Sequence, residues 1–241
     1  MSPMLGIMAS GISGNLGPTK TNMAGWWDPS VSSSVTLSSG KVSQINDLSG
    51  NGRHMVQATS AQQPTYTTAG RNGLNTMTFN GIENLSPSGT MSSTYLTMFI
   101  VARNLYSNRT TTSWTNEQLN LQNSDGVSDI WDFQLGTGGT NNYHWADGAK
   151  NDVWHYFSIT RPLTGTNPTA TIDGGGSWSN TRTAGHTIPA LSTGKLQLGR
   201  RSTDNGQPLY GDIGEVILYT DIKGSTDITA INNYLKAKWG F

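Results

Sequence analysis

Between positions 25 and 81 the apolar residues come in short runs, each closed by a pair that reverses a chain. The stretch opens Gly25-Trp26-Trp27-Asp28-Pro29 and passes through Val42-Ser43-Gln44-Ile45-Asn46-Asp47-Leu48-Ser49-Gly50-Asn51-Gly52-Arg53-His54. It closes on Met77-Thr78-Phe79-Asn80-Gly81. Asn-Gly and Ser-Gly supply positive φ and Pro presets it, so the text reads strand, tight turn, strand. Later runs repeat this grammar. Residues 95–103, Tyr-Leu-Thr-Met-Phe-Ile-Val-Ala-Arg, form a continuous apolar run of strand length, predicted to lie mid-sheet with both faces covered. Over 153–161, Trp154, Tyr156 and Ser158 alternate against His155, Phe157 and Ile159. Residues 169–176 predict a strand ending in a turn, and 194–200 and 211–219 predict two more strands.

Only the last element has helical period. Ser225 is placed as its cap and Asp227 in its first turn; Ile228, Ile231, Leu235 and Trp239 take one face, and Asn232, Lys236 and Lys238 the other. Composition agrees with a β-rich chain: charged residues are 12% of the total, while Gly, Ser, Thr and Asn are abundant. The length of 241 residues suits one all-β domain, and no charged or Pro-rich linker divides it. Fifteen basic residues balance fifteen acidic ones without a basic tract, which argues against nucleic acid as a partner. No cysteine is present, so disulfides, thiolate metal sites and thiol nucleophiles are excluded together. No apolar run approaches the roughly 20 residues that span a bilayer, so no membrane partner is expected.

Residues 1–24 read as an N-terminal arm and 25–241 as the domain. The arm fits a secretory signal poorly, because its first basic residue is Lys20 and four glycines interrupt its apolar text. Two readings stand: a frayed terminus, or an extended segment in which Met4, Leu5, Ile7, Met8 and Ile12 bury against another chain or against the domain itself.

The Trp-Trp-Asp-Pro opening, the Asp47-Leu48-Ser49-Gly50-Asn51-Gly52 turn, Gln57, Pro64, Tyr66 and the Phe79-Asn80-Gly81 close resemble the first half of laminin-G-like, concanavalin A-like jelly rolls. Leu198-Gly199, the 211–219 run and the terminal Tyr234-Leu235-Lys236-Ala237-Lys238-Trp239-Gly240 resemble the second half. The resemblance implies an all-β, two-sheet antiparallel jelly-roll sandwich with a short C-terminal helix, preceded here by the extended arm. The leader Met4-Leu5-Gly6-Ile7-Met8-Ala9-Ser10-Gly11-Ile12-Ser13 resembles the N-terminal segment of tailed-bacteriophage structural proteins. Together the two imply a non-enzymatic virion protein, a capsid decoration or tail component. It would bind other virion proteins and itself through the arm.

The concanavalin A-like class also contains glycosidases, which set paired carboxylates about 5 to 5.5 Å apart in retaining enzymes. The glutamates are Glu83, Glu117 and Glu215, none with a second acid two residues away, and Asp129 and Asp132 would face opposite sides of a strand. No catalytic residue is therefore assigned, and Glu215 is read as structural. His54, His144, His155 and His186 lie far apart, so no metal-ligand set is assigned. The Asp47 to Asn51 turn and Asp204-Asn205 are open to two readings, calcium ligands or Asx side chains capping their own turns. Recognition of a host surface glycan is the alternative function, with Trp114, Trp131, Tyr143, Trp145 and Trp178 as its aromatic platform. The same aromatics are open to a second reading as core or subunit-interface residues.

Overall fold

The computed structural model describes residues 17–89, 92–93, 96–105, 120–123, 130–134, 142–146, 152–161, 169–178, 191–192, 196–200 and 208–241. The first strands are β1 (Met23–Trp27), β2 (Val35–Ser38), β3 (Lys41–Ile45), β4 (Met55–Val56), β5 (Thr65–Arg71) and β6 (Leu74–Asn80). There follow β7 (Ser86–Pro87), β8 (Ser92–Ser93), β9 (Leu96–Asn104), β10 (Asn120–Asn123), β11 (Ile130–Gln134) and β12 (Asn142–Ala146). The last are β13 (Trp154–Arg161), β14 (Thr169–Ile172), β15 (Gly175–Trp178), β16 (Leu191–Ser192) and β17 (Tyr210–Tyr219), before the helix α1 (Ser225–Trp239).

Twelve strands join one antiparallel sheet in the order β15-β14-β13-β9-β17-β6-β5-β3-β4-β7, with β1 also on β17 and β2 on β3. The all-β class and the C-terminal helix agree with the sequence. The expected pair of sheets does not: β17 pairs with β9, β6 and β1, and so hydrogen-bonds the two halves of the chain into one continuous sheet. That sheet is curled. Met55 of β4 shares one hydrophobic cluster with Phe157 and Ile159 of β13 and Ile172 of β14, which lie toward the opposite end of the strand order.

Alternation along the central strands divides the core into two layers. On β9, Leu96, Met98, Ile100 and Ala102 enter the cluster inside the curl, while Phe99 and Val101 enter a second cluster on the other face. The predicted alternation of β13 holds, with Phe157 and Ile159 inside and Trp154 and Tyr156 in the second layer. α1 closes that second layer with Ile231, Leu235 and Trp239, all buried. Among the described residues no helix is long and apolar enough to cross a membrane.

Three details of α1 differ from the expectation. Its N-cap is Gly224, whose carbonyl accepts from the Ile228 N–H, so Ser225 is the first helical residue. Asn232 is buried and accepts from the Ser158 hydroxyl at 2.9 Å; it lies beside Ile231 and Leu235 on the docked face. Lys238, seven residues after Ile231, returns to that face and pairs with Asp28 and Glu215. At the other end Gly240, at φ 72, adopts the left-handed conformation that terminates the helix, its N–H reaching the Lys236 carbonyl. Residues 196–200 contribute a bridge from Leu198 to Leu85, where a strand was predicted.

Candidate functional site

Three places offer the chemistry the sequence pointed to. The first is the turn after β3. The Asp47 carboxylate accepts from the backbone of Trp26, Ser49 and Arg53 and from the Ser49 hydroxyl, at 2.8 to 3.1 Å. The Asp47 N–H donates to His54 Nδ1, so that imidazole nitrogen is also bound into the turn. Asn51 and Arg53 donate to the carbonyls of Met23 and Ala24 and fix the turn against β1. Asp47 is thus an Asx-type organiser of its own loop. Among the described residues no group of three or more His, Asp or Glu is placed to hold a metal ion. Asp204 and Asn205 lie outside the described residues.

The second place is the buried Glu215. Its Oε1 accepts from Trp26 Nε1 at 2.7 Å and the Tyr234 hydroxyl at 2.8 Å; its Oε2 accepts from Lys238 Nζ and Trp239 Nε1, both at 2.8 Å. Lys238 also binds Asp28. Burial, and after it the neighbouring Asp28 carboxylate, push the Glu215 carboxyl above its ordinary range, against the pull of Lys238 and Trp239. A bulge makes room for this. At Gly214 an added Cβ would meet the Trp239 ring at 3.0 Å, so the absence of a side chain there seats the indole over the strand. With all four donors supplied by β1 and α1, Glu215 ties the helix to the sheet, the structural role read from the sequence.

The third place is the connection from β9 to β13. These strands are antiparallel neighbours, and Arg103 near the end of β9 is the register partner of Trp154 at the start of β13. The chain therefore leaves and re-enters the large sheet at one point. That point is held by polar contacts: Arg103 grips Asp212 through Nε and Nη2 at 2.8 and 2.6 Å, reaches Asp152 at 3.2 Å and lies over the Trp154 ring at 5.5 Å. Beside it the buried His155 pairs through Nδ1 with Asp173 at 2.7 Å; Asp173 also accepts the Tyr156 N–H from a left-handed φ of 54°.

The connection carries its own antiparallel sheet, β10-β11-β12. Its register places residues in rows. One row is Asn123, Trp131 and Trp145; the next of the same parity is Leu121, Phe133 and Tyr143. Four aromatic residues thus share one face, as two adjacent cross-strand pairs. The opposite face holds the rows Gln122, Asp132, His144 and Asn120, Gln134, Asn142. Facing residues in such pairs have Cβ atoms about 4.5 to 5.5 Å apart.

Of the platform residues read from the sequence, Trp131, Tyr143 and Trp145 are brought together here. Trp178 stands on β15, in the large sheet, opposite Ala170. Trp114 and the arm residues Met4, Leu5, Ile7, Met8 and Ile12 lie outside the described residues. Phe133 was missed, although its spacing of two from Trp131 in Ile130-Trp131-Asp132-Phe133-Gln134 was available as a signal.

No family model and no curated protein matches the chain. Solved structures do. Domain 4 of AbnA, an extracellular GH43 arabinanase from Geobacillus stearothermophilus, in complex with arabinotriose, is 14% identical with a TM-score of 0.53, over 88% of this chain and 98% of that one. A GH54 α-L-arabinofuranosidase soaked with a cyclic sulfate inhibitor is 13% identical with a TM-score of 0.53, over 83% of this chain and 51% of that one. Trypanosoma rangeli sialidase in complex with sialic acid is 12% identical with a TM-score of 0.50, over 92% and 34%. The chain spans about half the length of the arabinofuranosidase.

These likenesses correct two expectations. The fold is shared with a sialidase, an arabinofuranosidase and an arabinanase domain, and nothing in them points to a phage or a virion. The virion structural reading falls, and with it the statement that the chain is not an enzyme. What the likenesses establish is the fold, a curled antiparallel sheet of lectin-like kind, shared with proteins solved in complex with arabinotriose and with sialic acid.

Proposed function

We propose that this chain is a carbohydrate-binding β-domain whose glycan contact lies on the three-stranded sheet of the β9 to β13 connection. The observation that carries the reading is the register of that sheet, which sets Trp131 opposite Trp145 and Phe133 opposite Tyr143 on one face. Aromatic rings offer sugars a flat apolar surface for their C–H faces, and a few polar groups around it orient the hydroxyls. Asn123 is in the same row as the two tryptophans. Support also comes from the arabinanase domain holding arabinotriose, the structure matched over nearly its whole length.

A glycan array followed by calorimetry on arabinan fragments tests the reading. Saturable binding lost in Trp145→Ala supports it; no binding to any glycan sinks it. A second reading, glycoside hydrolysis, is favoured by the arabinofuranosidase and sialidase likenesses. Its test is release of reducing sugar from the bound glycan, abolished in Asp132→Asn.

A further inference from the structure

In an Asn-Gly pair the backbone nitrogen that follows the asparagine is open to its side-chain amide, because glycine has no Cβ to stand in the way. The sequence holds four such pairs, at 51–52, 72–73, 80–81 and 205–206, and the first three lie among the described residues. We infer that the fold selects one of them, Asn80-Gly81, as a site of spontaneous deamidation. In that reaction the Gly81 nitrogen attacks Asn80 Cγ and a new C–N bond closes a cyclic imide. The side-chain nitrogen leaves as ammonia, taking the Gly81 amide proton. Water then opens the imide at either carbonyl, giving aspartate or isoaspartate at 80. Water is the one co-reactant consumed.

Ring closure needs the asparagine amide to swing toward the next nitrogen, so hydrogen bonds on that amide hold it back. Asn51 Nδ2 donates to the Met23 carbonyl at 2.8 Å and to Ser49 Oγ at 2.9 Å. Asn72 Nδ2 donates to the Lys238 carbonyl at 2.9 Å, and Asn72 at φ 49 and Gly73 at φ 74 form the tight turn between β5 and β6. Asn80 is exposed as well, yet among the described residues neither its side-chain amide nor the Gly81 N–H enters a hydrogen bond. Its backbone N–H is held instead by Glu83 Oε2 at 2.7 Å, an oxygen that also accepts from the Ile82 N–H at 3.2 Å. The buried Glu83 thus fixes the turn around Gly81 and leaves the two reacting groups unbonded. Conversion has a structural consequence. Aspartate at 80 sets a second carboxylate beside Glu83, and isoaspartate adds a methylene to the main chain where β6 ends opposite Tyr210. The Tyr210 ring packs on Gly81, where an added Cβ would meet it at 2.2 Å, so either product loosens this end of the β6–β17 pairing.

The test incubates the full chain at mildly alkaline pH and follows the three sites by peptide mapping in a mass spectrometer, beside a sample unfolded in urea. In the folded chain Asn80 is expected to convert first. Asn72 and Asn51 should be slower by roughly two- to tenfold for each hydrogen bond their amides must give up. In urea the three rates should converge, because the dipeptide is the same and only the fold tells the sites apart. Asn80→Gln is expected to remove the fast phase without moving the other two. Asn80→Asp, which reproduces one product, should lower the midpoint of thermal unfolding; an unchanged midpoint removes the loosening of the β6–β17 end. Conversion of Asn51 or Asn72 as fast as Asn80 in the folded chain overturns the inference. So does an Asn80 that stays intact in the folded chain while the unfolded chain converts, and so does a ranking that persists in urea.

Discussion

Tryptophan serves two regions of this molecule in different ways. In the large sheet and α1 four are bound into the framework: Trp26 and Trp239 donate to Glu215, Trp27 donates to the Arg53 carbonyl, and Trp154 stacks on Trp239 with ring centroids 6.4 Å apart. On β11 and β12, Trp131 and Trp145 are placed by register, in a segment that leaves and rejoins the framework at one point. Aromatic abundance therefore says little about role. What marks a structural indole is a polar edge or a face already claimed by the fold.

Substitution tests this contrast, and the largest effect belongs to the framework. Trp239→Ala empties the layer under α1 and is expected to cost about 3 to 5 kcal/mol in chemical denaturation, with glycan affinity of the folded fraction unchanged. Lys238→Met comes next, at roughly 3 kcal/mol, because it leaves the Glu215 and Asp28 carboxylates facing each other without their cation. This variant also has a pH signature. A carboxyl raised above its ordinary value of 4.5 binds its proton more tightly folded than unfolded, so its contribution is full in acid and declines as pH rises from 4.5 through the folded value. Lys238→Met should steepen that decline, measured as stability between pH 4 and 8; an unchanged slope would remove Glu215 from the account.

The effect at the second region should run the other way. Trp145→Ala is expected to leave stability within about 1 kcal/mol, the scale of one cross-strand pair, while binding is lost. If denaturation shows a framework-sized loss instead, Trp145 is a core residue and the contrast fails. Smaller still, Gly240→Ala should cost about 1 kcal/mol, since φ 72 is a conformation alanine adopts poorly and its Cβ would meet Asn72 at 2.9 Å. Ser225→Ala should change stability by less than about 0.5 kcal/mol, because the cap is Gly224.

Parts of this arrangement were open to reading from the residues. The 95–103 run predicted a strand covered on both faces, and β9 lies between β13 and β17 with both faces packed. Alternation over 153–161 named the two sides of β13 correctly. Asn232 and Lys238 were misassigned because a helical wheel marks polar residues as outward, while here Ser158, Glu215 and Asp28 give them buried partners from distant strands. The candidate site was half legible. Trp131, Tyr143 and Trp145 were visible as aromatics outside the clearest core runs; Phe133 and the pairing of rows required the register.

Short-range chemistry settled the all-β class, the turn at 47–51, the terminal helix and the exclusion of thiol chemistry. These depend on φ preferences, on alternation and on which atoms are present, all local to a few residues. Whether there are two sheets or one curled sheet, which donors satisfy Glu215, and which aromatics share a face depend on contacts between residues far apart in the chain. Glu215 and Trp26 are separated by 189 positions, and their bond exists because β17 lies beside β1. A one-residue slip of β12 against β11 would set Trp131 opposite His144 or Ala146, and no pattern within either strand forbids it.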